Sequence, residues 1–217
     1  RRRSSHRAQQ RAKCKEASAP LVPAAPAPTG PLPASSRGSC GRAAQGLRPE
    51  ATEVLCAIES LYGDRLKPFG RILRKRVAER AAPGVGPDGS LPNVDVKHLH
   101  AVCEAWVQHG TLRLTPEEGG DWSAEIVGRP PAFVDVYSPC DAYPVELWAQ
   151  ASIYFDSLTG QDMLLPGARY SCARALVLRS LPFLAPYSLG QVCHIVQLAI
   201  SQRKLLGYAN GAVVPYR

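Results

Sequence analysis

Long apolar runs, paired cysteines and catalytic constellations are all missing from this chain of 217 residues. No stretch reaches the roughly 18 apolar residues that a membrane span needs, so no membrane partner is expected. The seven cysteines (Cys14, Cys40, Cys56, Cys103, Cys140, Cys172 and Cys193) are odd in number and include no Cys-x-x-Cys pair. That argues against a disulfide framework and a zinc knuckle, and it predicts reduced thiols in the nucleus or cytoplasm. Acids are scarce at one end. Residues 1–48 hold ten Lys or Arg against the single acid Glu16, a net +9, whereas the sixteen basic and seventeen acidic residues of 49–217 leave that part at −1. The overall +8 is therefore a property of the tail. Arg1 stands where an initiator Met would, so a fragment or processed form is expected. Arg1–Arg11 also suits a transit peptide by composition, though it lacks a hydrophobic face.

What is present is organised in three parts. Residues 16–48 are rich in Ala, Pro, Ser and Gly, with Pro20, Pro23, Pro26, Pro28, Pro31 and Pro33 in close succession. Such a composition cannot bury enough surface to offset its ordering entropy, so residues 1–48 read as a disordered basic tail. Order is expected from Pro49. Helices are predicted over Pro49–Tyr62, Pro68–Ala81 and from Asn93 or Asp95 to Gln108, with a turn-rich Pro83–Pro92 loop before the third. Strands follow at Leu112–Leu114 and Trp122–Val127. The second half repeats this order, with helices over Pro144–Leu158, Gly167–Arg179 and Leu189–Arg203. Asn210-Gly211 then turns a hairpin, because both positions of that turn need positive φ. Residues 129–143 connect the halves, and Phe133-Val134-Asp135-Val136-Tyr137 predicts a strand packed between them. The fold class expected is mainly α with small β-hairpins, as two winged-helix-like modules in tandem, residues 49–128 and 144–217, with a single all-α domain carrying small hairpins as the main competitor.

Catalytic pairings are thin. Cys193 and His194 are neighbours and diverge on a helix, and His100 with Cys103 gives only two ligands where a metal site needs more. Gly84-x-Gly86-x-x-Gly89 follows a helix rather than a strand and contains Pro87, so it is no phosphate loop. No enzyme, metal or cofactor is expected.

The strongest charge feature of the body is Arg65–Val77. On a helical projection Leu66, Phe69, Leu73 and Val77 form one stripe, and Lys67, Arg71, Arg74 and Lys75 gather opposite, read as four clustered cations with no acid at i+4 to neutralise them. Phosphate contact by such a group releases counterions. The third helix of the first module, with Lys97, His98, His100 and Glu104, is poorly supplied for groove contact, which favours RNA over DNA. In the second module Gln191, Gln197, Arg203 and Lys204 on the last helix and Tyr208 in the hairpin complete the candidate nucleic-acid contacts. Gln on exposed helix positions also serves solubility, and cations near a helix C-terminus also complement its dipole. Trp106, Trp122, Trp148, Tyr137 and Phe133 could stack bases but sit in apolar-periodic contexts that favour core packing.

The element order, with Leu61-Tyr62-Gly63-Asp64-Arg65-Leu66 and Val96-Lys97-His98-Leu99-His100-Ala101-Val102-Cys103, resembles the OST-type helix-turn-helix, or LOTUS, winged-helix family over residues 50–128. The resemblance implies RNA binding or recruitment of a helicase-type partner, and no individual functional residue is carried over from it. The Pro83–Pro92 insertion departs from a compact module of that kind. The expectation is a non-enzymatic nucleic-acid-binding protein, with a protein-interaction module as the alternative.

Overall fold

The computed structural model describes residues 46–84 and 90–216. The expected basic tail lies almost wholly outside the described residues, as does the middle of the Pro83–Pro92 loop.

The first module opens with α1 (Ala51–Gly63), started by a capping box in which Glu53 accepts from the Glu50 amide at 2.8 Å. Val54, Ala57, Ile58 and Leu61 recur at helical spacing and are fully buried. α2 (Gly70–Ala81) follows, then α3 (Val96–Gln108), whose N-cap Asp95 accepts from the His98 amide at 3.1 Å. β1 (Leu112–Pro116) and β2 (Trp122–Ile126) pair antiparallel, from Leu112 opposite Ile126 to Pro116 opposite Trp122.

The second module repeats the order. α4 (Val145–Ser157), α5 (Arg169–Leu178) and α6 (Leu189–Ser201) precede the antiparallel strands β3 (Leu206–Ala209) and β4 (Ala212–Pro215). Ser188 caps α6 in a reciprocal box with Gln191. Asn210 and Gly211 have φ of 50° and 78°, as a tight hairpin turn requires.

A second layer of repetition is invisible in the sequence. Between α1 and α2, Phe69 forms an antiparallel bridge to Ser123 on β2, and the Ala124 amide donates to Pro68 O at 3.0 Å. Between α4 and α5, Leu165 forms the same kind of bridge to Val213 on β4, with both bonds at 2.9 Å. Each hairpin therefore gains a one-residue third strand from the link between its first two helices, which is winged-helix connectivity. This moves the start of α2 from the expected Pro68 to Gly70, because Pro68 and Phe69 serve the wing. Gly70 is required there: a Cβ would stand 2.6 Å from the Trp122 ring.

The expected strand at Phe133–Tyr137 does not form. Only the Val134 amide bonds in ladder fashion, to Arg65 O at 2.9 Å, and Asp135 Oδ1 accepts from the Tyr137 amide at 3.0 Å, turning the chain. The segment still packs between the modules, with Phe133 edge-on to Tyr62 at 4.8 Å.

The modules share one core. α6 buries nine of its thirteen residues and so serves as the central helix rather than a surface one. Its first turn meets the α1–α2 turn, where the Gly190 amide donates to Asp64 O at 2.9 Å. A Cβ at Gly190 would lie 2.7 Å from Arg65 O, so only glycine permits this approach. Beside it Arg76, 7% exposed, donates to Ser60 Oγ, to Asp64 Oδ2 at 2.5 Å and to Tyr170 Oη at 3.1 Å. Tyr170 in turn donates to Glu79 Oε2 at 2.8 Å, and Arg174 approaches the same oxygen at 3.5 Å. Burial raises the Tyr170 phenol above its ordinary pKa, which keeps it neutral and able to accept from Arg76 while donating to Glu79. Charged groups from α1, α2 and α5 thus neutralise one another across the junction.

Candidate nucleic-acid interface

The same junction opens on one side into a groove of about 550 Å³. Its floor is apolar, from Leu66, Ile72, Val134 and Val136, and four rings reach it: Phe69, Phe133, Tyr137 and Tyr170. Five cations line it (Lys67, Arg71, Arg74, Lys75 and Arg169) against one acid, Asp135. Five of the sixteen cations of residues 49–217 thus meet at one apolar cleft.

The four cations grouped in the sequence reach this groove on different terms. Lys67 precedes the helix and pairs with Glu117 at 2.5 Å, with Glu125 3.9 Å away. The bond from Lys67, then one from Ser123, holds the Glu117 carboxyl below its ordinary range. Arg71, its side chain 63% exposed, stands 3.6 Å from Asp121 and over the Phe69 ring at 5.3 Å. The expectation of no acid at i+4 needs correction at Lys75, where Glu79 stands four residues on, and the wing supplies further acids that sequence distance hides. Arg74 is exposed and has no ion pair among the described residues. Lys75 is half-buried, donates to Ser171 Oγ at 2.8 Å and lies 6.0 Å from the Tyr170 ring centre. Burial lowers its ammonium pKa, with Glu79 opposing and Arg74 assisting.

Most second-module candidates have other employment. Gln191 accepts from the Ser188 amide at 3.0 Å and completes the α6 cap, so it is withdrawn from any base edge. Arg203 holds Asp141 at 2.5 Å and covers the Trp148 ring at 5.0 Å. Burial pushes the Asp141 carboxyl up, but bonds from Arg203, the Tyr143 amide and Trp148 outweigh it and leave the pKa below its ordinary value. Lys204, at φ 54°, lies in the link between α6 and β3, and Tyr208, 52% exposed, lies on β3; neither lines the groove. Gln197 matters indirectly: its Oε1 accepts from Arg169 Nε and holds that guanidinium in place.

Sequence reasoning missed Arg169 and undervalued Tyr137. Arg169 opens α5 and stacks over the Tyr137 ring at 5.2 Å, and Tyr137 is 63% exposed rather than core. No periodic signal joins an interdomain turn to the first residue of a distant helix. The tryptophans do pack as core or rim: Trp148 is buried, Trp122 lies against Gly70 and His100, and Trp106 donates to Ala51 O at 3.0 Å.

Neither third helix offers a groove-reading face. α6 is buried, and the open side of α3 presents Val96, Lys97, Glu104, Val107 and Gln108, with a single lysine among them. Cys103, Cys172 and Cys193 are buried, and burial pushes each thiol up to about 12, which leaves them protonated packing groups. Among the described residues no three His, Cys, Asp or Glu gather to hold a metal, and no helix is long and apolar enough to cross a membrane.

Residues 160–217 match a family model described as the OST-HTH Associated domain. The match spans α5, α6, β3 and β4 with the Leu165 bridge, and so covers the second module apart from α4. It links the chain to the OST-HTH context through that module, whereas the sequence resemblance lay in the first. No curated protein and no solved structure matches the chain.

Proposed function

We propose that this is a non-enzymatic RNA-binding protein whose ligand lies in the groove between its two winged-helix-like modules. The observation that carries this reading is the meeting of five cations and four aromatic rings at a single apolar cleft of a body carrying net −1, three of those cations, Arg74, Lys75 and Arg169, having no ion pair among the described residues. Polyanions are drawn to such a focus, and each phosphate contact adds a salt-dependent increment. The OST-HTH Associated match over residues 160–217 is compatible with it, as is the resemblance of residues 50–128 to the OST-type helix-turn-helix. RNA is preferred to duplex DNA because α6 is buried and α3 is short of cations. The free cysteines among the described residues fit a reducing compartment, the nucleus or cytoplasm.

The test is the salt dependence of RNA binding by the full chain, by fluorescence anisotropy. Replacing the exposed pair Arg71 and Arg74 by alanine is expected to weaken binding and to lower the slope of log K against log salt by roughly one per arginine. An unchanged slope and affinity would contradict the proposal.

A second reading, a protein-docking role, has its own observation. Val107 and Val127, 38% and 47% exposed, flank an open depression with Leu112, Arg113, Leu114 and Glu104. Such a mixed surface suits a protein rather than a polyanion, and Val107→Asp would disable that contact while leaving RNA binding unchanged.

A further inference from the structure

Resting on the RNA reading, we infer that the groove selects unpaired nucleotides, with Tyr137 as the platform on which a base stacks. The Arg169 guanidinium covers one region of the Tyr137 ring at 5.2 Å, and the residue remains 63% exposed, so ring surface is left for a further flat partner. Gln197 holds Arg169 in place, and the Asp135 carboxylate accepts from the Tyr137 amide, which fixes the backbone that carries the ring. Guanidinium, phenol and base would then form one continuous stack.

The chemistry of the groove separates single strands from duplexes. A duplex hides its base faces and presents phosphates outward, and an apolar floor of Leu66, Ile72, Val134 and Val136 offers such a surface nothing. An unpaired strand presents both base and phosphate. Its bases can bury against the floor and Tyr137, while its phosphates meet Arg71, Arg74 and Lys75 on the α2 side. The basic tail, net +9 over residues 1–48, adds charge attraction for either form.

The test uses the full chain with a labelled 12-nucleotide single-stranded RNA, the matching RNA duplex and the same sequence as single-stranded DNA. The wild-type protein is expected to bind both single strands more tightly than the duplex. Tyr137→Ala should weaken single-strand binding about 5- to 100-fold, the range found when one stacked base loses its aromatic partner, with little effect on the duplex. Tyr137→Phe keeps the ring and should restore the preference. Photocrosslinking of a 4-thiouridine oligonucleotide, mapped by mass spectrometry, should place the adduct within 133–137 or 168–171. Duplex binding equal to single-strand binding, both unaffected by Tyr137→Ala yet weakened by Arg71→Ala with Arg74→Ala, would overturn the inference and leave the RNA reading standing. Indifference to all these variants would overturn both. An acidic, aromatic-containing peptide that binds in a Tyr137-dependent way, where the RNA does not, would make the groove a peptide site and also overturn the inference.

Discussion

Arg76 is the residue on which the two halves depend most. It is buried, it meets Asp64, Tyr170 and Glu79, and removing it would leave two carboxylates facing each other's surroundings without their shared cation. Breaking a buried ion pair from one side typically costs about 3–5 kcal/mol. Arg76→Met should lower the stability of the folded body by that order, read as a fall in the urea midpoint; a midpoint within error of wild type would show the network to be superfluous. Asp141 makes a pH prediction. Its folded pKa lies below the ordinary 3.8, so the stability it contributes is present above about pH 3.8 and is lost as the pH falls through the folded value. Asp141→Asn, which cannot titrate, should melt earlier than wild type at pH 7 and show a shallower loss of melting temperature on acidification below pH 4. Parallel acid limbs in the two proteins would remove Asp141 from the account.

At the scale of elements, the contact between α6 and the α1–α2 turn is a close backbone approach that joins the two modules. Gly190→Ala places a methyl group against Arg65 O, an overpacking that costs about 1–3 kcal/mol and should pry the turn from the helix. Limited proteolysis should then cut faster within the 129–143 connector, whereas Gly63→Ala, where a Cβ meets open space, should not change the rate. Elements with local signals were legible in the sequence. Asp95 and Ser188 cap helices by contacts to residues three further on, and Asn210-Gly211 turns its hairpin through its own backbone preferences. Elements defined by partners were not. The bridges at Phe69 and Leu165 are single residues and carry no period. α6 looked amphipathic enough to expose Gln191 and Gln197, yet both modules close around it. The candidate site shows the same division: Arg71 and Arg74 stood out as a charged helix face, while Tyr137 and Arg169 meet only through the docking of the modules.

The described residues of both modules pack around one continuous core, with a charged cleft at the seam. The continuous core and the shared network predict a single unfolding transition over the described residues, with coincident curves by far-ultraviolet circular dichroism and tryptophan fluorescence. Trp106 and Trp122 report the first module and Trp148 the second, so independent modules would separate the two curves. The proposed RNA site lies at the same seam: neither module alone holds Arg71, Arg74, Tyr137 and Arg169 together. The most direct measurement is amide hydrogen exchange of the full chain with and without a saturating single-stranded RNA. The account predicts new protection at residues 65–75, 133–137 and 168–171 together. Protection confined to residues 1–48, or centred on α3 and β1, would contradict it.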